Sequence, residues 1–128
     1  MGRYLLDTHT AIWFINGDSA LSETAKKAIL DTSNIKYLCI ASAWEVAIKR
    51  SIGKLDIVGH TADFIEDAES NGFIMLPVKT EHLTALESLP FIHRDPFDRL
   101  LIATALAEEL TLVTSDTNIS LYDVPHIW

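Results

Sequence analysis

Short apolar runs alternate along this chain with longer segments that begin at capping residues and end at glycine or asparagine. The runs are apolar throughout, as expected of strands covered on both faces. They predict strands at residues 5–6, 36–41, 73–78, 111–114 and 124–128. The longer segments predict helices at residues 8–15, 23–30, 42–51, 61–71 and 80–89, and a longest helix that Asp95 and Pro96 open and that runs to residue 110.

This alternation of strands and helices predicts an α/β fold, a sandwich with a mostly parallel central sheet. The length of 128 residues fits one domain over residues 1–128. A hydrophobic fraction of 48% excludes an intrinsically disordered chain.

Cysteine content and hydropathy indicate a cytoplasmic protein. The single cysteine, Cys39, lies in an apolar run and is interpreted as a core residue in a reducing compartment. No apolar stretch reaches transmembrane length and no signal peptide is evident, so we expect no membrane association. Trp13, Trp44 and Trp128 are interpreted as packing residues.

The net charge of −8 does not by itself suggest a nucleic-acid enzyme, because phosphate contacts require lysine and arginine. Clustered acids that bind a divalent ion are partly neutralised, however, and a small basic patch can serve an otherwise acidic chain. Charge therefore leaves a nuclease possible without pointing to one.

Four acids follow predicted strands or begin predicted helices. Asp7 follows the first strand and Asp116 follows the strand at 111–114, while Glu45 and Asp98 lie in the first turns of their helices. In a parallel sheet, strand carboxyl ends and the helix starts that follow them share one edge, where ligands bind. A cluster of like charges there needs a cation, and oxygen ligands select Mg²⁺ or Mn²⁺. Such ions can activate water and stabilise a phosphodiester during in-line displacement.

Each acid also has a structural interpretation. Asp7 can cap the helix at residue 8, and Glu45 stands three residues after Ser42 in a capping box. Asp98 can complement a helix dipole, and Asp116 can belong to an Asx-turn. Taken singly, none of these residues identifies a metal site.

Several basic residues are candidates for contact with nucleic acid. Lys49 lies one helical turn after Glu45, where it forms either a surface salt bridge or a phosphate contact. Arg50 and Arg99 are candidate contacts to an RNA backbone. His9 and His93 are assigned no role.

Four motifs occur in a fixed order: Leu-Leu-Asp7-Thr-His, Ser-Ala-Trp-Glu45-Val-Ala-Ile-Lys, His93-Arg-Asp-Pro-Phe-Asp98-Arg-Leu-Leu-Ile-Ala and Leu-Val-Thr-Ser-Asp116. With these motifs the chain resembles the PIN domain, and more narrowly the VapC-type toxins of bacterial toxin–antitoxin pairs. The most similar subgroup carries a His-Arg-Asp-Pro-Phe-Asp-Arg motif.

The resemblance implies a three-layer α/β/α sandwich and RNA cleavage that depends on Mg²⁺ or Mn²⁺. It places catalytic acids at Asp7, Glu45, Asp98 and Asp116, with Asp7, Asp98 and Asp116 as metal ligands. It also implies a homodimer and a cognate antitoxin protein. Asp95 is interpreted as the N-cap of the longest helix, and it is the alternative ligand if Asp98 is not one.

Two other classes of function compete with this interpretation. An Asp-based phosphatase or receiver domain is disfavoured, because the chain lacks the additional early acid and the late lysine that those classes need. A PIN-like binding module that has lost catalysis is the alternative that stays open. The sequence does not reveal the RNA target.

Overall fold

In the described part of the chain, the central sheet has five strands, all paired in parallel in the order β3-β2-β1-β4-β5. These features come from a computed structural model that describes residues 1–55 and 59–128. The strands are β1 Arg3–Leu6, β2 Ile35–Cys39, β3 Ile74–Leu76, β4 Thr111–Val113 and β5 His126–Ile127. The helices are α1 Thr8–Asn16, α2 Glu23–Leu30, α3 Ile40–Ser51, α4 Thr61–Ser70, α5 Thr80–Ser88 and α6 Pro96–Glu108, and a 3₁₀ turn covers Ile119–Leu121.

Helices cover both faces of the sheet. Neighbouring residues of a strand point to opposite faces, so Leu5 and Leu6 enter different core clusters. The Leu5 cluster contains Leu101 and Ile102 of α6, and α5 packs on α6 outside it. The Leu6 cluster is built with residues of α1, α2, α3 and α4. The predicted three-layer α/β/α sandwich is therefore confirmed, with a sheet that is parallel throughout its described strands.

The strand order reverses beside β1. The chain first adds β2 and β3 on one side of β1, and then crosses to add β4 and β5 on the other side. At such a switch point the helices diverge and leave a crevice at the carboxyl ends of the strands. Here the crevice lies beyond β1 and β4, where Leu6 pairs with Val113.

Local signals position the first two helices where the sequence predicts them. Asp7 caps α1, and Gly17 ends it in the left-handed conformation, with a φ of 65° that favours glycine. Ser22 caps α2 by accepting a hydrogen bond from the Ala25 N–H at 3.1 Å. Cys39 is fully buried in the core, as predicted. None of the helices in the described ranges combines the length and hydropathy that a bilayer crossing requires.

The predicted boundary between the second strand and the following helix is wrong by two residues. Strand β2 ends at Cys39 and α3 begins at Ile40, so Ser42 is the third helical residue and not an N-cap. Glu45 consequently lies in the second turn of α3, and the predicted capping box does not form. The apolar run continues from β2 into α3. Because most residues before and after the boundary are buried, the spacing of apolar residues does not change there from the strand period to the helix period.

We expect Ser42→Ala to stabilise the protein by about 1 kcal/mol, because alanine has the higher helix propensity and a buried, unpaired hydroxyl is costly. Ser42 is 2% exposed, and its Oγ has no hydrogen-bond partner among the described residues. Urea unfolding of both proteins measures the difference. A loss of about 1 kcal/mol would instead indicate a capping role.

Candidate active site

One cleft of about 460 Å³ lies at the carboxyl edge of the sheet. All four acids predicted from the sequence line it, as does the alternative ligand Asp95. Its lining is Asp7, Thr8, His9, Trp13, Glu45, Lys49, His93, Asp95, Asp98, Ser115 and Asp116. The start of α6 therefore reaches the same edge as the ends of β1 and β4.

Asp7 is both a helix cap and a wall of the cleft. It is 7% exposed, and its Oδ1 accepts a hydrogen bond from the Thr10 N–H at 2.8 Å. Its Oδ2 accepts from the hydroxyl of Thr114, and its own N–H donates to the Val113 carbonyl at 3.2 Å. The capping interpretation of Asp7 is thus correct, and it is compatible with a place in the site.

The hydroxyl of Thr114 joins Asp7 to Asp116. While it donates to Asp7, its Oγ1 accepts from the Asp116 N–H at 3.0 Å. The Oδ1 of Asp116 accepts from the Asn118 N–H at 2.8 Å, the geometry of an Asx-turn. This turn holds the Asp116 carboxylate at the mouth of the crevice beyond β4.

Glu45 already has partners within the protein. Its Oε1 accepts from the Thr8 hydroxyl at 2.6 Å, and its Oε2 lies 2.9 Å from the Nζ of Lys49. The salt bridge predicted for Lys49 therefore forms, and Lys49 also lines the cleft. Both carboxylate oxygens of Glu45 are therefore engaged, and its negative charge is balanced by the ammonium group of Lys49.

Asp95 and Asp98 have different roles at the start of α6. Asp95 is the N-cap, and its Oδ1 accepts from the N–H groups of Phe97 at 2.9 Å and Asp98 at 3.3 Å. Asp98 points its Oδ2 at the Nε2 of His93, 2.9 Å away. Asp95 therefore caps α6, whereas Asp98 is paired with His93, and both carboxylates line the cleft.

His93, Asp98 and Asp116 form a cluster whose candidate ligand atoms lie within 4.8 Å of one another. Sequence reasoning missed His93. Its place at the head of the His-Arg-Asp-Pro-Phe-Asp motif was the available signal, but its loop position concealed which way the ring turns.

The cluster is electrostatically strained. The pKa of Asp98 is raised to about 6, chiefly by burial and also by the charges of Asp95 and Asp116, while the hydrogen bond from His93 acts in the opposite direction. Within residues 1–55 and 59–128, no lysine or arginine forms an ion pair with Asp98 or Asp116. Carboxylate oxygens are the ligands that Mg²⁺ and Mn²⁺ prefer, so this donor set fits such an ion.

Two of the three candidate RNA contacts lie outside the cleft lining. The Nη1 of Arg50 lies 3.4 Å from the Nδ1 of His60. The Nη1 of Arg99 donates to the Pro90 carbonyl at 3.0 Å and to the Tyr122 hydroxyl at 3.1 Å. Of the three candidates, Lys49 is the one placed to meet a ligand in the cleft.

The family model described as "PIN domain" matches residues 4–125. Comparison with curated protein sequences gives no significant match.

Several solved structures share the fold. VapBC2 from Rickettsia felis, solved bound to a DNA fragment from its promoter, is similar with a TM-score of 0.70 and 13% identity, covering 98% of this chain and 97% of that one. A toxin–antitoxin complex from Klebsiella pneumoniae is similar with a TM-score of 0.67 and 17% identity, covering 98% of this chain and 96% of that one. FitAcB from Neisseria gonorrhoeae is similar with a TM-score of 0.64 and 18% identity, also covering 98% of this chain and 96% of that one.

We expect Asp98→Asn to stabilise the protein at pH 7.5 in EDTA by about 1–2 kcal/mol. The pKa of Asp98 is raised to about 6 in the folded state, so its proton contributes stability at acidic pH. That contribution is lost in the wild type as the pH rises through about 6. Urea unfolding at pH 4.5 and 7.5 measures the difference.

The exposed acid Asp123 provides the control, because Asp123→Asn should change stability little at either pH. If Asp98→Asn destabilises the protein at pH 7.5, the carboxylate is a structural partner of His93 and the cluster is not strained.

Proposed function

Because the chain belongs to the PIN domain family, we propose that it is a metal-dependent endoribonuclease that hydrolyses RNA phosphodiester bonds. The observation that carries the proposal is the convergence of Asp7, Asp98 and Asp116 on one cleft from three separate parts of the chain. Glu45 completes the proposed catalytic set from α3. A purely structural role for each acid would not require them to meet.

Asp7, Asp98 and Asp116 are the proposed ligands of Mg²⁺ or Mn²⁺. Support comes from the proximity of the Asp98 and Asp116 carboxylates and from the raised pKa of Asp98, which reflects burial among like charges. Asp7 lies outside that cluster but lines the same cleft, and the Thr114 hydroxyl links its carboxylate to the backbone of Asp116. When bound, an ion of this kind lowers the pKa of a water and neutralises charge on a phosphate oxygen.

The chain's own residues would hold the substrate and the acids in place. Lys49, whose side chain is 35% exposed, supplies positive charge inside an otherwise acidic cleft and is the proposed contact to an RNA phosphate. The Thr8 hydroxyl and Lys49 fix both oxygens of Glu45, so this carboxylate is oriented before a substrate arrives. Such preorganisation reduces the reorganisation needed during the reaction.

We also propose that the protein is the toxin of a toxin–antitoxin pair, acts in the cytoplasm and forms a homodimer. Similarity to VapBC2 and to the Klebsiella pneumoniae toxin–antitoxin complex supports the first point.

An apolar row on α3 and its C-cap supports association with protein surfaces, since soluble monomers rarely expose such rows. The row consists of Ile40, Trp44, Ile48 and Ile52, which are 41%, 63%, 37% and 59% exposed. Trp44, which the sequence suggested as a packing residue, packs edge-on against Phe97 but keeps most of its side chain exposed.

Purified wild-type protein should cleave a mixed RNA pool with Mg²⁺ or Mn²⁺ and lose this activity in EDTA. Asp116→Asn should lower the cleavage rate by at least about 100-fold, since it removes a proposed ligand charge. Asp123 is an exposed acid away from the cleft, so the Asp123→Asn variant should cleave like the wild type. Gel analysis of the RNA products measures all three.

Cleavage that persists in EDTA, or an Asp116→Asn variant as active as the wild type, would contradict the proposal. A folded wild type that binds neither Mg²⁺ nor Mn²⁺ and cuts no RNA would favour the alternative function, an inactive PIN-like module that acts through a protein partner.

A further inference from the structure

The loop between α5 and α6, residues 89–95, brings His93 to the acid cluster. It contains neither helix nor strand, and its Phe91 and Ile92 side chains are 74% and 48% exposed. Within the loop, the Ile92 N–H donates to the Pro90 carbonyl at 2.9 Å. Leu89 packs against the core, but the exposed Phe91 and Ile92 do not fix the part of the loop that carries His93, so residues outside the loop hold it there.

The hydroxyl of Tyr122 holds the loop backbone. It accepts from the N–H of His93 at 2.9 Å and from the N–H of Ile92 at 3.2 Å. Tyr122 is 5% exposed and packs in a core cluster with Leu101 and Ile119. Because the ring is fixed in the core, its hydroxyl fixes the backbone of His93 relative to the sheet.

Arg99 ties the same loop to α6. Its Nη1 donates to the Pro90 carbonyl at 3.0 Å and to the Tyr122 hydroxyl at 3.1 Å, and its guanidinium lies 4.6 Å from the centre of the Phe91 ring. Arg99 directly follows Asp98 in the chain. A planar guanidinium presents its donors in a fixed fork and stacks on an aromatic ring, a geometry that a lysine ammonium does not reproduce.

The consequence of this support is seen at Asp98. With the loop in place, the Nε2 of His93 lies 2.9 Å from the Oδ2 of Asp98. Mg²⁺ and Mn²⁺ favour oxygen ligands, so His93 is better suited to orient the carboxylate than to bind such an ion itself. Groups that orient metal ligands in this way contribute about 10–100-fold to metal affinity.

We propose that Tyr122 and Arg99 are positioning residues of the metal site: through the 89–95 loop they place His93, and His93 orients Asp98. This inference rests on the proposed function, because it concerns affinity for the divalent ion that the function requires. It assigns to Arg99 a role different from the RNA contact that the sequence suggested.

Tyr122→Phe tests the proposal by removing the hydroxyl while keeping the buried ring. We expect Mn²⁺ affinity, measured by electron paramagnetic resonance of free Mn²⁺, to fall about tenfold or more. Tyr37→Phe is the matched control, since Tyr37 packs against the same core cluster and does not line the cleft. It should bind Mn²⁺ like the wild type. Unchanged Mn²⁺ affinity in folded Tyr122→Phe would overturn the proposal.

A second readout separates this proposal from the proposed function. In metal-free protein, the ¹⁵N and ¹H resonances of the His93 ring report its hydrogen bond to Asp98. We expect Tyr122→Phe to shift them and Tyr37→Phe to leave them unchanged. If the wild type binds no Mn²⁺, the proposed function fails, and the His93 resonances decide whether Tyr122 positions His93.

Arg99→Lys provides a second variant should Tyr122→Phe fail to fold, and it should show the same loss of Mn²⁺ affinity and the same change at His93. Wild-type values for both readouts in Arg99→Lys would overturn the role given to Arg99.

Discussion

The reversal of strand order beside β1 determines where the acids of this protein can meet. Because β4 pairs with β1 on the side opposite β2, the chain leaves both strands at the same edge of the sheet. The segments that follow them pack on different faces, with α1 in the Leu6 cluster and the 3₁₀ turn, through Ile119, in the Leu5 cluster. Hydrogen bonds across this point join the two strand ends: the Asp7 N–H and the Thr10 hydroxyl both donate to the Val113 carbonyl, and Thr114 donates to Asp7. The two strand ends are thus held together by Asp7, which lines the cleft, and by buried residues beside it.

The charges in the cleft are distributed unevenly. The Asp7 carboxylate accepts hydrogen bonds from Thr10 and Thr114. The Glu45 carboxylate is paired with Thr8 and Lys49. The carboxylates of Asp98 and Asp116 instead repel each other, and both lie near His93. The protein therefore supplies its own counter-charge on one side of the cleft and leaves the other side short of positive charge. This is the arrangement expected where a functional site is maintained at a cost in stability. It also reconciles a net charge of −8 with a nuclease, since a bound cation would supply the missing charge.

The sequence predicts the elements well where local chemistry marks their ends. Asp7, Gly17, Ser22 and Asp95 carry capping or turn signals, and the boundaries beside them are correct to within one residue. The β2–α3 junction has no such signal, because one apolar run continues from the largely buried β2 into the first turn of α3, where Ile40 is exposed and the next three residues are buried. Features that depend on contacts between distant parts of the chain could not be predicted from the local sequence pattern. The direction of the His93 ring depends on Tyr122, 29 residues away, and the exposure of Trp44 depends on which face of α3 the sheet covers.

The central claim is that the acid cluster binds a divalent ion, and X-ray diffraction from crystals soaked in Mn²⁺ tests it most directly. Anomalous scattering locates the ion without reference to any substrate. We expect a peak about 2 Å from carboxylate oxygens of Asp98 and Asp116, on the side of the cleft where Asp7 lies. No peak at saturating Mn²⁺, or a peak on Asp95 instead of Asp98, would contradict the account.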